Sequence, residues 1–376
     1  MTKDLVHPPK KWRGTCHGHN FTCNNKIIGA RYYRASGSFK ENDIISPRDS
    51  NGHGTHTASI AAGGLVSSAS LFGLGAGTAR GGVPLARIAV YKPFWEGLIS
   101  CDGADILAAF DDAIADGVDI ISISAGQPAP DYFQDPIAIG AFHALRYGIL
   151  TSTSAGNEGP ALESLANFAP WLLSAAASTT DRKFFTKIQL GNRIIFEGVS
   201  INTFDLNGSF YPIIYGGDAP NVSGGFNGSS SRYCTNGTLD NNLIKGKIVL
   251  CESLEVTQLT STSGATGLVI QNNSYLDSGF AYVLPASQIP TKDGESVLSY
   301  IRRTRFPSAT IFKSNSVQHK QYSLHVPYFS SRGPNPVTHD ILKPDISAPG
   351  VQILAAWSPT GSPSGYDDTI DKYNIT

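Results

Sequence analysis

From residue 86 onward the apolar positions switch between two periods. "ARIAVY" (86–91) is a short apolar run of strand length, suited to burial. In "DGADILAAFDDAIADG" the spacing becomes helical, with Ile106, Leu107, Phe110 and Ile114 on one face. Asp102 and Asp105 sit near the positive end of that helix, and Gly117 is placed to stop it. "VDIISIS" (118–124) is nearly continuously apolar, the pattern of a strand covered on both faces. A second helix, "DPIAIGAFHALRYG", leads into "ILTSTSAG" (149–156). Strand, helix and strand in repetition predict an α/β fold, a parallel sheet with right-handed crossovers and flanking helices.

After "DRKFFTKIQLGNRIIFEG" (181–198) the character of the chain changes. Residues 206–316 carry β-type runs such as "GKIVLC" and "ATGLVI" between glycine- and asparagine-rich loops. This stretch reads as an inserted, β-rich α/β domain that divides an outer domain into residues 1–205 and 317–376. A single irregular domain throughout is the alternative. The last part is punctuated by proline and glycine, with a short strand expected at 350–356.

Composition narrows the picture. With 16% charged and 41% hydrophobic residues in 376, the chain has the makeup of a globular protein with a sizeable core. A net charge of −1 and the lack of a basic block argue against nucleic acid or an anionic membrane as main partner. No apolar run approaches the ~20 residues of a membrane span, and "MTKDLVHPPKKWRG" has no apolar core of a secretory signal. The five cysteines match no zinc-site spacing, and nothing implies a metal or an organic cofactor. Cys16 with Cys23 and Cys234 with Cys251 form two local pairs, Cys101 being left over; five reduced cysteines are the other reading. Asn20, Asn207, Asn221, Asn227, Asn236, Asn272 and Asn374 each begin an N-x-[ST] sequon. Their clustering between 207 and 272, with the paired cysteines, points to a glycosylated extracellular surface.

The stretch "NGHGTHTASIAAGG" (51–64) carries the chemistry. Gly52 and Gly54 flank His53 and allow close backbone approach, and the small residues after it suit a helix through a crowded centre. A lone histidine is usually structural, so the neighbouring motifs decide its role. "SPRDSNGHGTHTASIAAG" resembles the histidine motif of subtilisin-like serine proteases, in particular the plant, cucumisin-like branch. "KWRGTC", "CNNKIIGARYY", "ADILAAFDDAIADGVDIIS", "SAGNEGP", "GKIVLC" and "YFSSRGPNPVTHDILKPDISAPGVQILAAW" resemble that branch in the same order, over essentially the whole chain.

The resemblance implies a subtilisin-like fold with His53 as general base and Asn157 of "SAGNEGP" as oxyanion-hole donor. It makes His56 a packed helix residue. Ser124-Ala125-Gly126 and Ser154-Ala155-Gly156 match the segments between which the family holds an extended peptide. Ala125 stands where the plant branch usually has a larger apolar residue. The 206–316 insertion resembles a protease-associated domain, either a glycosylated spacer or a substrate-binding element. By the same resemblance the mature protein is secreted to the plant apoplast or cell wall.

Two members of the family's triad have no match. The aspartate belongs to a D-[ST]-G motif upstream of the histidine, and the serine to a G-T-S-M motif just after "YNI". Asp49 belongs to the lead-in of the histidine motif, Asp43 has no motif context, and Gly361 to Gly365 is not a nucleophile elbow. The expectation is a fragment of a secreted endopeptidase, truncated at both ends and inactive alone. A non-catalytic relative that binds peptides is the second hypothesis.

Overall fold

The computed structural model describes residues 7–18, 21–37, 39, 44–95, 101–126, 131–252, 263–274, 276–318, 321 and 323–361. Asn20, Asp43 and Asn374 lie outside them. The chain runs β1 (Ile27–Tyr32), α1 (His53–Ala62), β2 (Val66–Leu71), β3 (Leu74–Ala79), β4 (Ile88–Lys92), α2 (Gly103–Asp116), β5 (Ile120–Ile123), α3 (Pro136–Arg146), β6 (Leu150–Ser154) and β7 (Leu173–Ser178). It continues as β8 (Arg182–Leu190), β9 (Ile195–Val199), β10 (Tyr211–Tyr215), the short α4 (Gly228–Ser231) and α5 (Asn241–Ile244), β11 (Ile248–Glu252), β12 (Gly267–Gln271), β13 (Ala286–Ile289), α6 (Thr291–Arg303), β14 (Ser308–Ile311), β15 (Asn315–Gln318) and β16 (Ile346–Pro349).

Local sequence accounts for the two main helices. The Asp102 carboxylate accepts from Ala104 N, and Gly117 closes α2 in the left-handed conformation at φ 81°. Asp135 caps α3 in the same way, with Pro136 in the first turn. Ile106 and Phe110 of α2 pack with Ile137, Ala138 and Ala141 of α3, against Ile121 and Ile123 of β5.

The buried face of α2 is wider than its apolar spacing indicates, because Asp105 and Asp116 are buried too. Asp105 accepts from Ala35 N, and Asp116 accepts from Arg31 and Tyr91. Burial and a hydrogen bond to Asp112 push Tyr33 above its ordinary titration range, and burial and Asp116 do the same to Tyr91. The helix thus packs apolar contacts on one sheet and polar ones on the other.

Those sheets are both parallel. β1 pairs with β4, and a four-stranded sheet has the order β16-β7-β6-β5. β5 is therefore an edge strand among the described residues, and Ile120 is 64% exposed rather than covered on both faces as its sequence predicts. The strand expected at 350–356 lies earlier, at Ile346–Pro349, where Ile346 to Pro349 pair with Ala175 to Ser178. α1 is also more open than a helix in a crowded centre: of its ten residues only Ala62 is buried.

The remaining strands form one sheet in the order β14-β10-β11-β12-β13-β9-β8-β15, and pairing of β14 with β8 closes seven of them into a ring. Ile188, Leu190, Ile213, Leu250, Val269 and Ile311 make one apolar cluster with Val297 of α6. Val249, Cys251, Leu268 and Ile270 pack on the other side against Leu239 and Ile244, so the central strands are buried on both faces. Because β8 and β9 precede residue 206, sheet membership crosses the expected domain boundary. The neck of this unit is tied by Thr179 N to the His325 carbonyl, 2.8 Å.

Cys16–Cys23 and Cys234–Cys251 are disulfide-bonded. Cys101 is a free, half-buried thiol that donates to the Pro93 carbonyl; burial, with Asp105 and Asp102 nearby, pushes it up to about 12.

Asn207, Asn227 and Asn236 are exposed, whereas Asn272 is 5% exposed, with its backbone N bonded to Ile289 and its side chain to Ser274. A glycan cannot be accommodated at Asn272 in this packing, which corrects that candidate. Asn221 is half-buried, and its Nδ2 donates to the Gly237 carbonyl. In protein secreted from a eukaryotic host, peptide mapping after enzymatic deglycosylation should mark Asn207, Asn227 and Asn236 and leave Asn272 unmarked. A glycan on Asn272 of the folded protein would contradict its burial.

Candidate active site

His53 is the first residue of α1 and is exposed. The turn before it is held by Asp49, whose carboxylate accepts from Asn51 N, Gly52 N, Thr55 N and Thr55 Oγ1 at 2.7–3.0 Å. Gly52 has φ 116° and no side-chain cap, and a Cβ there would lie 2.1 Å from the Trp357 ring. The acid three residues upstream therefore does the capping that a serine or aspartate at Gly52 would do elsewhere. Asp49 is accordingly a helix-holding residue rather than an orienter of the imidazole.

Burial alone would raise the Asp49 carboxyl; the bonds from Gly52, Thr55 and Asn51 outweigh it and hold it below the ordinary carboxylate value. A group with a depressed folded pKa stabilises above its unfolded pKa of ~3.9 and loses that contribution as pH falls through the folded value. Asp49→Ala should lower stability by about 1–2 kcal/mol, the usual worth of a cap. Thermal melts at pH 7 and pH 3 check this: the difference between variant and parent should shrink at the lower pH.

His56, one turn on, points into the protein. Its Nε2 lies 3.1 Å from the Ile353 carbonyl, and its ring meets Trp357 edge-on at 5.7 Å. Burial lowers its pKa, against the opposing effect of that carbonyl and with a smaller lowering from His53. The packing anticipated for His56 is what the structure has. Ser59 Oγ accepts from Ala356 N, and Ser358 Oγ donates to the Asp49 carbonyl. Segment 353–358 thus pins α1.

Asn157 follows β6 and is exposed. Its two neighbours are bonded to one residue: Ser331 N donates to the Gly156 carbonyl at 3.1 Å, and Glu158 N donates to Ser331 Oγ at 3.0 Å. Gly159 N also donates to the Phe329 carbonyl, and a Cβ on Gly159 would lie 2.1 Å from the Ser330 carbonyl oxygen. Ser331 is only 2% exposed. The bracket was not foreseen, since "YFSSRGPNP" reads only as a proline- and glycine-rich loop. The same stretch of chain goes on into β16 and then to the segment that pins α1. Among the described residues no hydrogen bond joins His53 to Asn157; this shared segment relates them.

Ser124 and Gly126 are exposed and lie just past the end of β5, with Ala125 between them half-buried. Facing them, the 154–156 segment has spent its acceptors. The Ser154 carbonyl is taken by Asn167 Nδ2, that of Ala155 by Ala166 N, and that of Gly156 by Ser331 N. Ala155 N is spent on the Ala175 carbonyl. On the other side the Ala125 carbonyl is also taken, by Asn167 Nδ2, so one side chain ties the two segments together. Among the described residues no group of three or more His, Cys, Asp or Glu is placed to hold a metal, and no helix is long and apolar enough to cross a membrane.

Comparison with known proteins extends these observations. The sequence model of the subtilase family, Peptidase S8, matches residues 23–373. Subtilisin-like protease SBT4.6 of Arabidopsis thaliana is 49% identical over 375 residues, 99% of this chain and 50% of its own length. Subtilisin-like protease SBT4.3 of the same plant is 48% identical over 373 residues, 98% of this chain and 49% of its own length. The chain thus spans about half the length of the curated relatives it matches. Among solved structures, sphericase is 31% identical over 36% of this chain and 42% of its own, at a TM-score of 0.29.

Proposed function

The chain belongs to the subtilase family, and from that premise we propose that it forms part of a secreted serine endopeptidase cleaving polypeptides through an acyl-enzyme. The observation that carries the reading is His53 at the exposed start of a helix held from both sides, by Asp49 and by segment 353–358. In this mechanism His53 takes the proton of a serine hydroxyl as the oxygen attacks the substrate carbonyl. The Asn157 amide donates to the oxyanion that forms, and His53 then returns the proton to the leaving amine. A second acyl transfer, to water, releases the other product. The serine and the aspartate that orients His53 are assigned to no residue of this chain. The peptide lies along the 124–126 and 154–156 segments. The 206–316 insertion, with its exposed sequons and most strands of the ring, is the protease-associated domain of this reading. The two disulfides suit an oxidising compartment such as the apoplast.

The test is a fluorophosphonate probe that labels only an activated serine. The full-length protein is expected to label stoichiometrically, and the 376-residue chain alone not at all. A folded full-length protein that stays unlabelled would remove the enzymatic reading and leave the peptide-binding one.

A further inference from the structure

β5 and β6 are paired in parallel from Ile120 opposite Leu150 to Ile123 opposite Thr153. Beyond that point the ladder ends, and a side chain takes over. Asn167 Nδ2 donates to the Ala125 carbonyl at 2.9 Å and to the Ser154 carbonyl at 2.8 Å. An amide nitrogen carries two protons, so both are spent, one on each side of the cleft.

Asn167 is 2% exposed and held at φ 53°, and its own carbonyl accepts from Ser174 Oγ. A non-glycine residue keeps that backbone conformation only where its surroundings impose it, and asparagine is among those that tolerate it. A Cβ on Gly126 would lie 2.5 Å from Asn167 Nδ2, and one on Gly156 would lie 3.3 Å from the Ala166 Cβ. Ala166 and Asn167 therefore stand directly behind the two glycine walls. An aspartate would set a charge against two carbonyl oxygens, and a glycine would keep the backbone and lose the tie. The carboxamide bridges two acceptors from one uncharged nitrogen here.

We propose that Asn167 is a positioning residue that sets the separation of the 124–126 and 154–156 segments, and with it the selectivity for the substrate side chain that enters between them. This rests on the endopeptidase reading above. In the full-length protein, Asn167→Gly and Asn167→Asp are compared with wild type on peptide anilides that differ only in the residue on the acyl side of the scissile bond. Both variants should raise KM about tenfold, change kcat less than threefold, and flatten the ratio between best and worst substrate about tenfold. Labelling by a small fluorophosphonate, which does not need the peptide segments, should stay within twofold. Asn167→Gly relieves the backbone strain and so guards against a simple folding defect. Unchanged KM and selectivity in Asn167→Gly would overturn the proposal, as would a parallel loss of KM, kcat and labelling. A wild-type protein that neither labels nor cleaves would instead defeat the endopeptidase reading, and this inference with it.

Discussion

Replacing His53 with alanine in the full-length protein is expected to lower kcat for a peptide substrate by about 10⁴–10⁶, with KM little changed. Loss of one triad member removes the proton relay and leaves only the catalysis that oxyanion donation and substrate binding supply. The side chain is exposed at the start of α1, so the fold does not depend on it, and stability should stay within about 0.5 kcal/mol of wild type. Steady-state kinetics and a thermal melt on the same preparation separate the two. A melting temperature that fell along with the rate would move His53 from chemistry to structure.

The second large effect is expected at Asn157. Asn157→Ala should reduce kcat by about 10²–10³, or roughly 3–4 kcal/mol of transition-state stabilisation, because a donor to the oxyanion acts only once charge develops. Ser331→Ala leaves the Asn157 side chain in place but withdraws the acceptor of Glu158 N. It should lower kcat about tenfold. If the bracket works through Asn157, the two losses are not additive: Ser331→Ala should cost little in the Asn157→Ala background. Full additivity in that double-mutant cycle would mean that Ser331 acts elsewhere.

Where local pattern decided structure, the sequence was informative. The caps of α2 and α3, the parallel β5–β6 pair and the two local cysteine pairs follow from residues close together in the chain. What it could not supply were partners from far away. Asp105 and Asp116 look like solvated helix residues until Arg31 and Tyr91 arrive from another sheet and Ala35 from the turn after β1. The apolar run of β5 predicts two covered faces, yet the strand is an edge among the described residues. Asn272 carries a valid sequon, but a motif does not report burial. At the site, the motifs named His53 and Asn157, while Ser331 and Asn167 had no signal. Their importance lies in two hydrogen bonds each, made to backbone 13 to 175 residues away.

β16 pairs with β7 although the whole ring of strands lies between them in sequence; Ser174 and Asp345, which bond across the join, are 171 residues apart. Closing a loop that long has only a modest thermodynamic penalty but slows folding, since the non-local contact gives nothing back until it forms. A ring that folds by itself shortens the search by bringing Thr179 and His325 together at its neck. From that neck the following segment reaches β7, brackets Asn157 and pins α1. In the folded chain the inserted unit is thus an adaptor: its closed neck delivers the segment that holds the residues assigned to chemistry in one frame.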